Sequence, residues 1–363
     1  MVRHKRGRPS PENSPSKRRR RRSPLECRRR WVVSSKDSSN CTDKVLVVSY
    51  NILGVENASN HPDLYSNIPH SFLEWDRRKR LILEEINNYN ASILCFQEVD
   101  HFNDLDDLFQ NSGFKGVYKA RTGEAQDGCA VFWKDKLFKL LHQEDIEFQR
   151  FGMRNNVAQL CVFEANHDKK ESDACNLTTM TPSTGKRRFV VGNIHVLFNP
   201  NRGDIKLGQL DIQLHDRRNM SGQLEIQTNR VFRSQIGDDA SISMSVSRQL
   251  YRWSVEELRL ASGAEGVTRL QHQLKLCSAY SGVPGNHRTR DDIGEPLATS
   301  YHSKFMGTVD YIWHSEDLIP VRVLETLPID TLRRSRGLPS EKWGSDHLAV
   351  VCEFAFANNA NVS

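Results

Sequence analysis

From residue 43 onward, the chain contains seven short apolar runs rich in β-branched residues, and this pattern constrains the fold more than any other feature. The runs are Lys44–Tyr50, Ser92–Val99, Gly128–Lys134, Val157–Glu164, Arg187–Val196, Thr308–Ser315 and His347–Phe356. Each has the length and the composition of a strand. A helix is predicted over Trp75–Tyr89, where Ile82 and Ile86 share one face with the final tyrosine. Mixed strands with few helices indicate an α/β fold of sheets flanked by helices.

The net charge of +6 is unevenly distributed along the chain. Residues 1–30 hold thirteen Lys or Arg and two Glu, a net of +11, while the remaining 333 residues carry a net of −5. Residues 1–42 are too poor in aliphatic side chains to fold, so we expect a disordered basic tail there. A single domain is predicted over residues 43–357, followed by a short polar tail over 358–363. The basic run Lys17–Arg22 is typical of a nuclear-import signal or a nonspecific RNA-binding arm, with a solvated tail of no specific role as the alternative.

Two classes of protein are excluded by composition. No apolar run approaches the roughly 18 residues that a membrane helix needs, and no apolar stretch follows the Arg-rich N-terminus, as a secretory signal requires. The eight cysteines are scattered without a C-x-x-C pair or a histidine at zinc spacing. We therefore expect no disulfide framework and no structural zinc, and a reducing intracellular compartment.

Several of the predicted strands begin or end in polar residues that are uncommon in the interior of a strand. These sequences are Ser49-Tyr50-Asn51, Gln97-Glu98-Val99-Asp100, Asn193-Ile194-His195, Val309-Asp310-Tyr311 and Ser345-Asp346-His347. Amides, carboxylates and imidazoles at strand ends can converge at one rim of a sheet sandwich. Oxygen ligands of this kind suit Mg²⁺, and adjacent imidazoles suit the hydrolysis of phosphate esters.

Taken singly, each of these residues has an ordinary alternative. Asn51 can cap a turn, and Glu98 can be an exposed strand terminus. His195 can be a core histidine with satisfied hydrogen bonds, and Asp310 can pair with a surface arginine. The five sequences are informative because they occur together and in this order.

In that order, the five motifs resemble those of the endonuclease/exonuclease/phosphatase superfamily. More narrowly, the chain is similar to the plant carbon catabolite repressor protein 4 homologues, a group of messenger-RNA deadenylases, over about residues 43–356. The resemblance implies a four-layer α/β sandwich of two mixed β-sheets flanked by helices. It also implies a Mg²⁺-dependent 3′-exoribonuclease that shortens poly(A) tails.

The resemblance assigns a role to each site residue. The implied metal ligands are Glu98, Asn51 and Asp346, the implied catalytic residues are His195, Asn193, Asp310 and His347, and the implied adenine contacts are Pro200 and Phe305. In this scheme Asp310 orients the ring of His347, while Asn193 and His195 contact the scissile phosphate.

One motif of the resembled family is missing. The family carries Gly-Asp-x-Asn between the strand with His195 and the strand with Asp310, but the Gly-Asp pairs here, Gly203-Asp204 and Gly237-Asp238, are not followed by Asn in that register. The chain is therefore predicted to lack one helix–strand unit near residue 210. Losing such a carboxylate commonly costs several orders of magnitude in rate.

This gap leaves three functional hypotheses. The first is the poly(A)-specific 3′-exoribonuclease itself. The second is a catalytically impaired or inactive form that serves as an RNA-binding or partner-binding module, or an unstable isoform. The third is an abasic-site DNA endonuclease or an inositol or sphingolipid phosphodiesterase, which ranks last because Gly294–Phe305 resembles the deadenylase group.

The resemblance also implies poly(A) RNA as a partner, and membership of the deadenylation complex as a family-level expectation. No leucine-rich repeat, the usual docking element for that complex, occurs in residues 1–42. We expect no membrane partner. The basic tail together with a messenger-RNA substrate predicts location in both nucleus and cytoplasm.

Overall fold

A computed structural model of the protein describes residues 28–35, 43–166, 187–199, 201–210, 254–262 and 274–357. The strands are β1 (Trp31–Val33), β2 (Lys44–Asn51), β3 (Ile93–Gln97), β4 (Phe114–Ala120), β5 (Gly128–Lys134), β6 (Phe138–Glu147), β7 (Val157–Ala165), β8 (Arg188–Ile194), β9 (Cys277–Ser278), β10 (Ser300–His302), β11 (Phe305–Gly307), β12 (Trp313–His314), β13 (Leu318–Leu324) and β14 (Val350–Phe356). The helices are α1 (Val55–Asn60), α2 (Trp75–Asn87), α3 (Phe102–Gln110), α4 (residues 203–210), α5 (Val255–Ser262) and α6 (Ile329–Arg334), with 3₁₀ turns at His70–Phe72 and Phe148–Phe151. None of the helices in these residues has the length and apolarity to cross a membrane.

The largest sheet has seven strands in the order β1-β13-β14-β2-β3-β5-β4. β2 and β3 are parallel, and the other neighbouring pairs are antiparallel. β2 and β3 can be parallel because the chain between them contains α2, which carries the chain back to the edge of the sheet where β2 began. The sheet is therefore mixed, as the sequence predicted.

Alternation along the central strands gives the large sheet two buried faces. On β2, Leu46, Val48 and Tyr50 point to one side, where they pack with Ile82 and Ile86 of α2. The opposite face of the same sheet packs against the second sheet, mainly through apolar residues of β3, β5 and β14. Because these strands are buried on both faces, their sequences are nearly continuous apolar runs.

The second sheet consists of β6, β7 and β8, all antiparallel. Its far face is covered by α4, whose Ile205 packs with Phe148 and Leu160. Helix α4 also lies close to α5, since a Cβ added to Gly208 would come within 2.6 Å of the Leu260 carbonyl oxygen. Helices, large sheet, second sheet and helices thus form the four layers of an α/β sandwich.

A separate two-stranded pair, β9 with β12, lies on the same side of the large sheet as β8. Both elements sit over β14: Phe189 of β8 contacts Phe356 with ring centroids 5.5 Å apart, and His314 of β12 contacts Phe354 at 5.2 Å. Among the described residues, no strand joins β8 to β12. Residues 211–253, where a helix–strand unit is predicted to be lacking, lie outside the described residues.

Two differences between the structure and the sequence prediction lie near the edge of the large sheet and near Asp310. Residues 28–35 contain β1, which pairs with β13, so the folded body begins before residue 43. The run Thr308–Ser315 forms a strand only at Trp313–His314, because the N–H groups of Val309 and Asp310 bond to the Thr299 hydroxyl at 3.0 and 3.1 Å. At these two positions the backbone N–H groups bond to a side chain instead of to a neighbouring strand.

Candidate active site

The site is built where β2 and β3 end. These neighbouring strands are parallel, and Asn51 stands opposite Gln97 in their register. Glu98 follows immediately with φ of 57°, in the left-handed region that a non-glycine residue occupies only at a cost of roughly 1–3 kcal/mol. The turn ends the ladder and brings the Glu98 carboxylate to Asn51, whose Nδ2 donates to Oε1 at 2.8 Å.

The carboxylate of Glu98 is held by further donors from the start of α1. The Asn57 amide donates to Oε2 at 2.8 Å, and the Gly54 N–H donates to the same oxygen at 3.1 Å. Burial alone favours the neutral acid. The neighbouring His195 and the amides of Asn51 and Asn57 outweigh burial and lower the pKa of Glu98 to about 2. Glu98 is therefore an anion throughout the physiological pH range.

A second carboxylate enters from the segment before β14. The Ser345 hydroxyl donates to the Asn51 carbonyl at 2.7 Å, which attaches this segment to the end of β2. Next to it, Asp346 is buried and accepts a hydrogen bond from the Tyr65 hydroxyl at 2.9 Å. Burial raises the pKa of Asp346, His347 opposes that shift, and repulsion from Glu98 adds to it. Two carboxyl groups thus share one end of the sheet.

The predicted Asp310–His347 pair is present. The Nδ1 atom of His347 lies 2.8 Å from Oδ2 of Asp310. Burial disfavours the imidazolium, but the carboxylates of Asp310 and Asp346 outweigh burial and raise the pKa of His347 to about 10. His347 is a cation at neutral pH, and its Nδ1–H is committed to Asp310.

His195 comes to the same place from the second sheet, one residue after β8. Its Nε2 lies 3.7 Å from Oε1 of Glu98. Its carbonyl accepts a hydrogen bond from the Asn156 amide at 3.0 Å, which fixes the backbone at this point. The imidazole of His195 therefore faces the carboxylate of Glu98.

Asn193 has a different placement from the predicted contact with the scissile phosphate. It is 2% exposed and lies between the two sheets. Its Nδ2 donates to the carbonyls of Phe96 and Ala130, both at 3.0 Å, and its Oδ1 accepts from Gln97 at 2.7 Å. Because these bonds use both hydrogens and the carbonyl of the amide, Asn193 ties the second sheet to the first behind His195.

Phe305 lies on a small hairpin of β10 and β11 beside the two acids. The hairpin is attached to the site by the Tyr301 N–H, which donates to the Asp346 carbonyl at 2.9 Å. The ring of Phe305 is 38% exposed and contacts His302 at a centroid distance of 5.9 Å. An aromatic face open to solvent at this edge suits the stacking of a base. Pro200, the other predicted base contact, lies outside the described residues.

Two site residues were missed by sequence reasoning. Asn57 holds Glu98, and Tyr65 holds Asp346. Neither follows a predicted strand. Asn57 carried only a glycosylation-type tripeptide, Asn57-Ala58-Ser59, which has no bearing on catalysis. Only the folded geometry identifies these two residues.

The donor set fits a hard divalent cation. Within the described ranges, no group of three or more His, Cys, Asp and Glu side chains is arranged to hold a metal. Mg²⁺, however, is commonly bound through one or two carboxylates and retains several waters. Glu98 and Asp346 would supply two carboxylates and Asn51 an amide oxygen, and the charge of the cation would offset the repulsion from Glu98 that adds to the effect of burial on the pKa of Asp346.

The chain is similar to known proteins in sequence and in fold. The profile of the Endonuclease/Exonuclease/phosphatase family matches residues 48–214. Carbon catabolite repressor protein 4 homolog 5 of Arabidopsis thaliana is 55% identical over 91% of this chain and 81% of its own length. The CCR4-Not complex 3'-5'-exoribonuclease subunit Ccr4 of Yarrowia lipolytica is 26% identical over 87% of this chain and 48% of its own length.

Among solved structures, ANGEL2, described as a 2′,3′-cyclic phosphatase in complex with adenosine-2′,3′-vanadate, is similar with a TM-score of 0.69 and 27% identity. The match covers 91% of this chain and 99% of ANGEL2. The chain therefore belongs to the endonuclease/exonuclease/phosphatase family, as one of the carbon catabolite repressor protein 4 homologues.

Proposed function

We propose that the protein is a Mg²⁺-dependent 3′-exoribonuclease that shortens poly(A). One observation carries the proposal: Asn51, Glu98, Asp346 and the Asp310–His347 pair converge at one edge of the sandwich. This combination provides oxygen ligands for a cation and a fixed imidazolium beside them. Similarity to a protein named as a 3'-5'-exoribonuclease subunit supports the direction of the reaction.

Each residue of the site has a separate role in the proposed reaction. Glu98, Asn51 and Asp346 would hold Mg²⁺, which would supply positive charge at the scissile phosphate. Asp310, whose Oδ2 lies 2.8 Å from Nδ1 of His347, favours the protonated imidazole, and the other N–H of that ring donates to a phosphoryl oxygen and stabilises the charge that gathers in the transition state. His195 binds the phosphate from the opposite sheet, and the exposed ring of Phe305 stacks on the terminal adenine.

The second candidate is an impaired member of the same family that binds RNA without efficient cleavage. It is favoured by the missing Gly-Asp-x-Asn motif. Among the described residues, Asp127, which directly precedes β5, is an acid that interacts with both His195 and Glu98; it is 2% exposed and paired with Arg121 at 3.1 Å. A carboxylate so enclosed is poorly placed to activate an attacking water.

The test is shortening of a 5′-labelled oligo(A) with Mg²⁺, with EDTA as the metal-free control. Glu98→Gln should reduce the rate by a hundredfold or more, on the order of the loss of one catalytic group. Glu316→Gln, an exposed carboxylate just before β13, is the matched control and should keep the rate. Folded wild-type protein that binds but never shortens oligo(A) would establish the impaired form instead.

A second substrate separates the nuclease from a terminal phosphatase. An oligo(A) ending in a 2′,3′-cyclic phosphate should be shortened by the proposed enzyme. Loss of the terminal phosphate with no loss of length would assign the chain an activity like that named for ANGEL2.

We also propose that the protein occurs in nucleus and cytoplasm and that it acts with the deadenylation complex. The run Lys17–Arg22 supports import. A fluorescent fusion with and without this run, followed by affinity purification from cell extract, tests both points. Purely cytoplasmic fluorescence in both fusions would refute the first, and absence of the complex would refute the second.

A further inference from the structure

Two of the proposed metal ligands lie on segments that are far apart in the chain. Asn51 ends β2, and Asp346 lies in the segment before β14. One link between these segments is the hydrogen bond from the Ser345 hydroxyl to the Asn51 carbonyl, at 2.7 Å. A second link is provided by Arg78, a fully buried residue of α2.

The guanidinium of Arg78 binds backbone carbonyls on both segments. Its Nη1 donates to the carbonyl of Ile52 at 2.8 Å and to that of Gly344 at 3.3 Å. Ile52 directly follows Asn51, and Gly344 is two residues before Asp346. One nitrogen atom therefore joins the two segments right beside their proposed metal ligands.

Arg78 also binds the loop from which Tyr65 reaches the site. Its Nε donates to the carbonyl of Leu73 at 3.0 Å. The side chain of Leu73 packs against the buried cluster that includes Leu53 and Tyr65. Because the Tyr65 hydroxyl donates to Asp346 at 2.9 Å, the guanidinium holds a third segment that supports the same acid.

The segment that carries Asp346 packs directly on the backbone of α2. A Cβ at Gly344 would lie 2.7 Å from the Arg78 carbonyl oxygen and 2.9 Å from the side chain of Ile82. A residue without a side chain is therefore required at this close approach. The glycine brings its own carbonyl within reach of the guanidinium.

Stability alone does not account for an arginine at this position. Within the described part of the chain, the buried Nη2 of Arg78 has no hydrogen-bond partner, and an unpaired buried donor weakens a fold. The guanidinium also interacts electrostatically with the carboxylates of Asp100 and Asp346, which oppose the effect of burial in lowering its pKa. A fixed positive charge thus accompanies one of the proposed metal ligands.

From these contacts we propose that Arg78 is a positioning residue of the metal site: it sets the separation of Asn51 and Asp346, and thereby the affinity for the divalent cation, without touching the cation or the substrate. The proposal rests on the proposed function for the presence of that cation. Removing a group that orients metal ligands from behind commonly weakens metal binding about 10- to 100-fold.

Metal binding is measured without RNA, by electron paramagnetic resonance of free Mn²⁺, which prefers the same oxygen ligands as Mg²⁺. The test variants of the full chain are Arg78→Gln and Arg78→Lys, and Glu98→Gln is the reference for loss of the site. The matched control is Arg290→Gln. Arg290 is also buried, and its Nη1 also donates to two backbone carbonyls, those of Tyr280 and Gly294, at 3.0 and 2.7 Å. Neither carbonyl is next to a proposed metal ligand.

We expect Arg78→Gln to bind Mn²⁺ about tenfold or more weakly than the wild type. Arg78→Lys should have an intermediate affinity, because an ammonium can reach a carbonyl but lacks the planar guanidinium that binds all three together. Arg290→Gln should keep the wild-type affinity, even where its melting temperature falls as far. In oligo(A) shortening, the Arg78 variants should need more Mg²⁺ for half of their maximal rate and should regain most of kcat at saturating Mg²⁺.

Wild-type affinity for Mn²⁺ in both Arg78 variants would overturn the proposal. An equal loss of affinity in Arg290→Gln would overturn it too, because the effect would then come from lower stability. If the melting temperature shows that Arg78→Gln does not fold, the affinity of Arg78→Lys decides.

Failure of the proposed function gives different results. Wild-type protein that binds no Mn²⁺, or binds it no more tightly than Glu98→Gln, would refute the metal site and the role of Arg78 together. Mn²⁺ binding that depends on both Glu98 and Arg78, in a protein that leaves oligo(A) uncut, would support the role of Arg78 and refute the nuclease.

Discussion

At the scale of single residues, Asp310 controls the charge of His347. In the wild-type protein the pKa of His347 is about 10 because Asp310 and Asp346 outweigh the effect of burial. Since the folded pKa exceeds the ordinary value near 6.5, the pair contributes stability that is complete below about pH 6.5. That stability is lost as the pH rises through the folded value of about 10.

In Asp310→Asn we expect burial to act with less opposition and to lower the pKa of His347. The melting temperature of metal-free protein should then decline less between neutral pH and pH 10 than in the wild type. An NMR titration of the imidazole measures the pKa directly, and kcat on oligo(A) should fall about a hundredfold or more. Asp292→Asn, an exposed acid, is the control, and identical pH profiles in all three proteins would contradict this account.

Asn57 provides the second prediction at this scale. Asn57→Ala removes one of three donors to the Glu98 carboxylate. A hydrogen bond to a charged group is worth about 1.5–3 kcal/mol, so kcat/KM should fall about 10- to 100-fold. Asn60→Ala, at the exposed end of the same helix, should keep the activity. An unchanged Mg²⁺ dependence and rate in Asn57→Ala would show that the remaining donors suffice.

Sequence reasoning predicted the residues of the site that follow or precede apolar strands. Asn51, Glu98, His195 and Asp346 are of this kind, because strand ends at one edge must lie close together. The role of Asn193 was not predictable, since its amide bonds depend on the distance between the two sheets. Tyr65 was not predictable either, because it reaches Asp346 across 281 residues of chain from a loop without regular pattern.

At the scale of elements, β1 is held by its pairing with β13 and by the buried ion pair of Arg29 with Glu85. Arg29→Ala should reduce the free energy of unfolding by about 3–5 kcal/mol, because it leaves Glu85 buried without its cation. Urea denaturation measures the change. Arg322→Ala breaks a pair with Glu353 in which the arginine side chain is 36% exposed, and should cost about 1 kcal/mol or less. Equal losses in the two variants would mean that the burial of Arg29 has no special effect.

The second sheet offers a test of the predicted gap near residue 210. Among the described strands, β8 pairs with β7 only, whereas β7 pairs with both β6 and β8. Amides of residues 188–194 should therefore exchange with deuterium faster than those of 157–165. Equal protection in hydrogen-exchange mass spectrometry would indicate that β8 has a further neighbour and that the sheet is complete.

The elements predicted with nearly correct bounds are those whose apolar pattern and length both fit one type of secondary structure. Gly128–Lys134 was predicted with the bounds of β5, and α2 differs from its prediction by two residues at one end. β4 and β6 were missed because half-exposed residues break their apolar runs, and β13 was missed because Pro320 and Arg322 interrupt its apolar run. β1 was missed because three residues between basic segments carry too little pattern, and its place is decided by Arg29 and by the open edge of β13.

At the scale of the whole molecule, the boundary between tail and body is set by burial rather than by composition. Limited trypsin digestion of native protein should cut within Lys17–Arg22 and spare the bond after Arg29, whose side chain is 9% exposed. Mass spectrometry of the fragments reads the positions. In Arg29→Ala, which lacks the buried contacts of Arg29 with Glu85 and with the carbonyls of Glu325 and Ala349, the bond after Arg30 should become sensitive to trypsin. Early cleavage after Arg29 in the wild type would refute this account.

The charge partition is the whole-molecule property that the sequence predicted best, because counting charges needs no knowledge of contacts. Where the positive segment joins the body relative to the site could not be predicted without the order of strands in the sheet. That order depends on pairing between residues 31–33 and 322–324. No local pattern encodes a pairing over such a separation.

The position of β14 has a consequence for synthesis. It is the last described strand in the chain, yet it lies between β13 and β2 near the middle of the seven-stranded sheet. A nascent chain must therefore hold the edges of β2 and β13 unpaired until residues 350–356 have left the ribosome, with a risk of aggregation during that interval. Because Asp346 and His347 arrive in the same stretch, catalytic competence and closure of the sheet should appear together, at the end of translation.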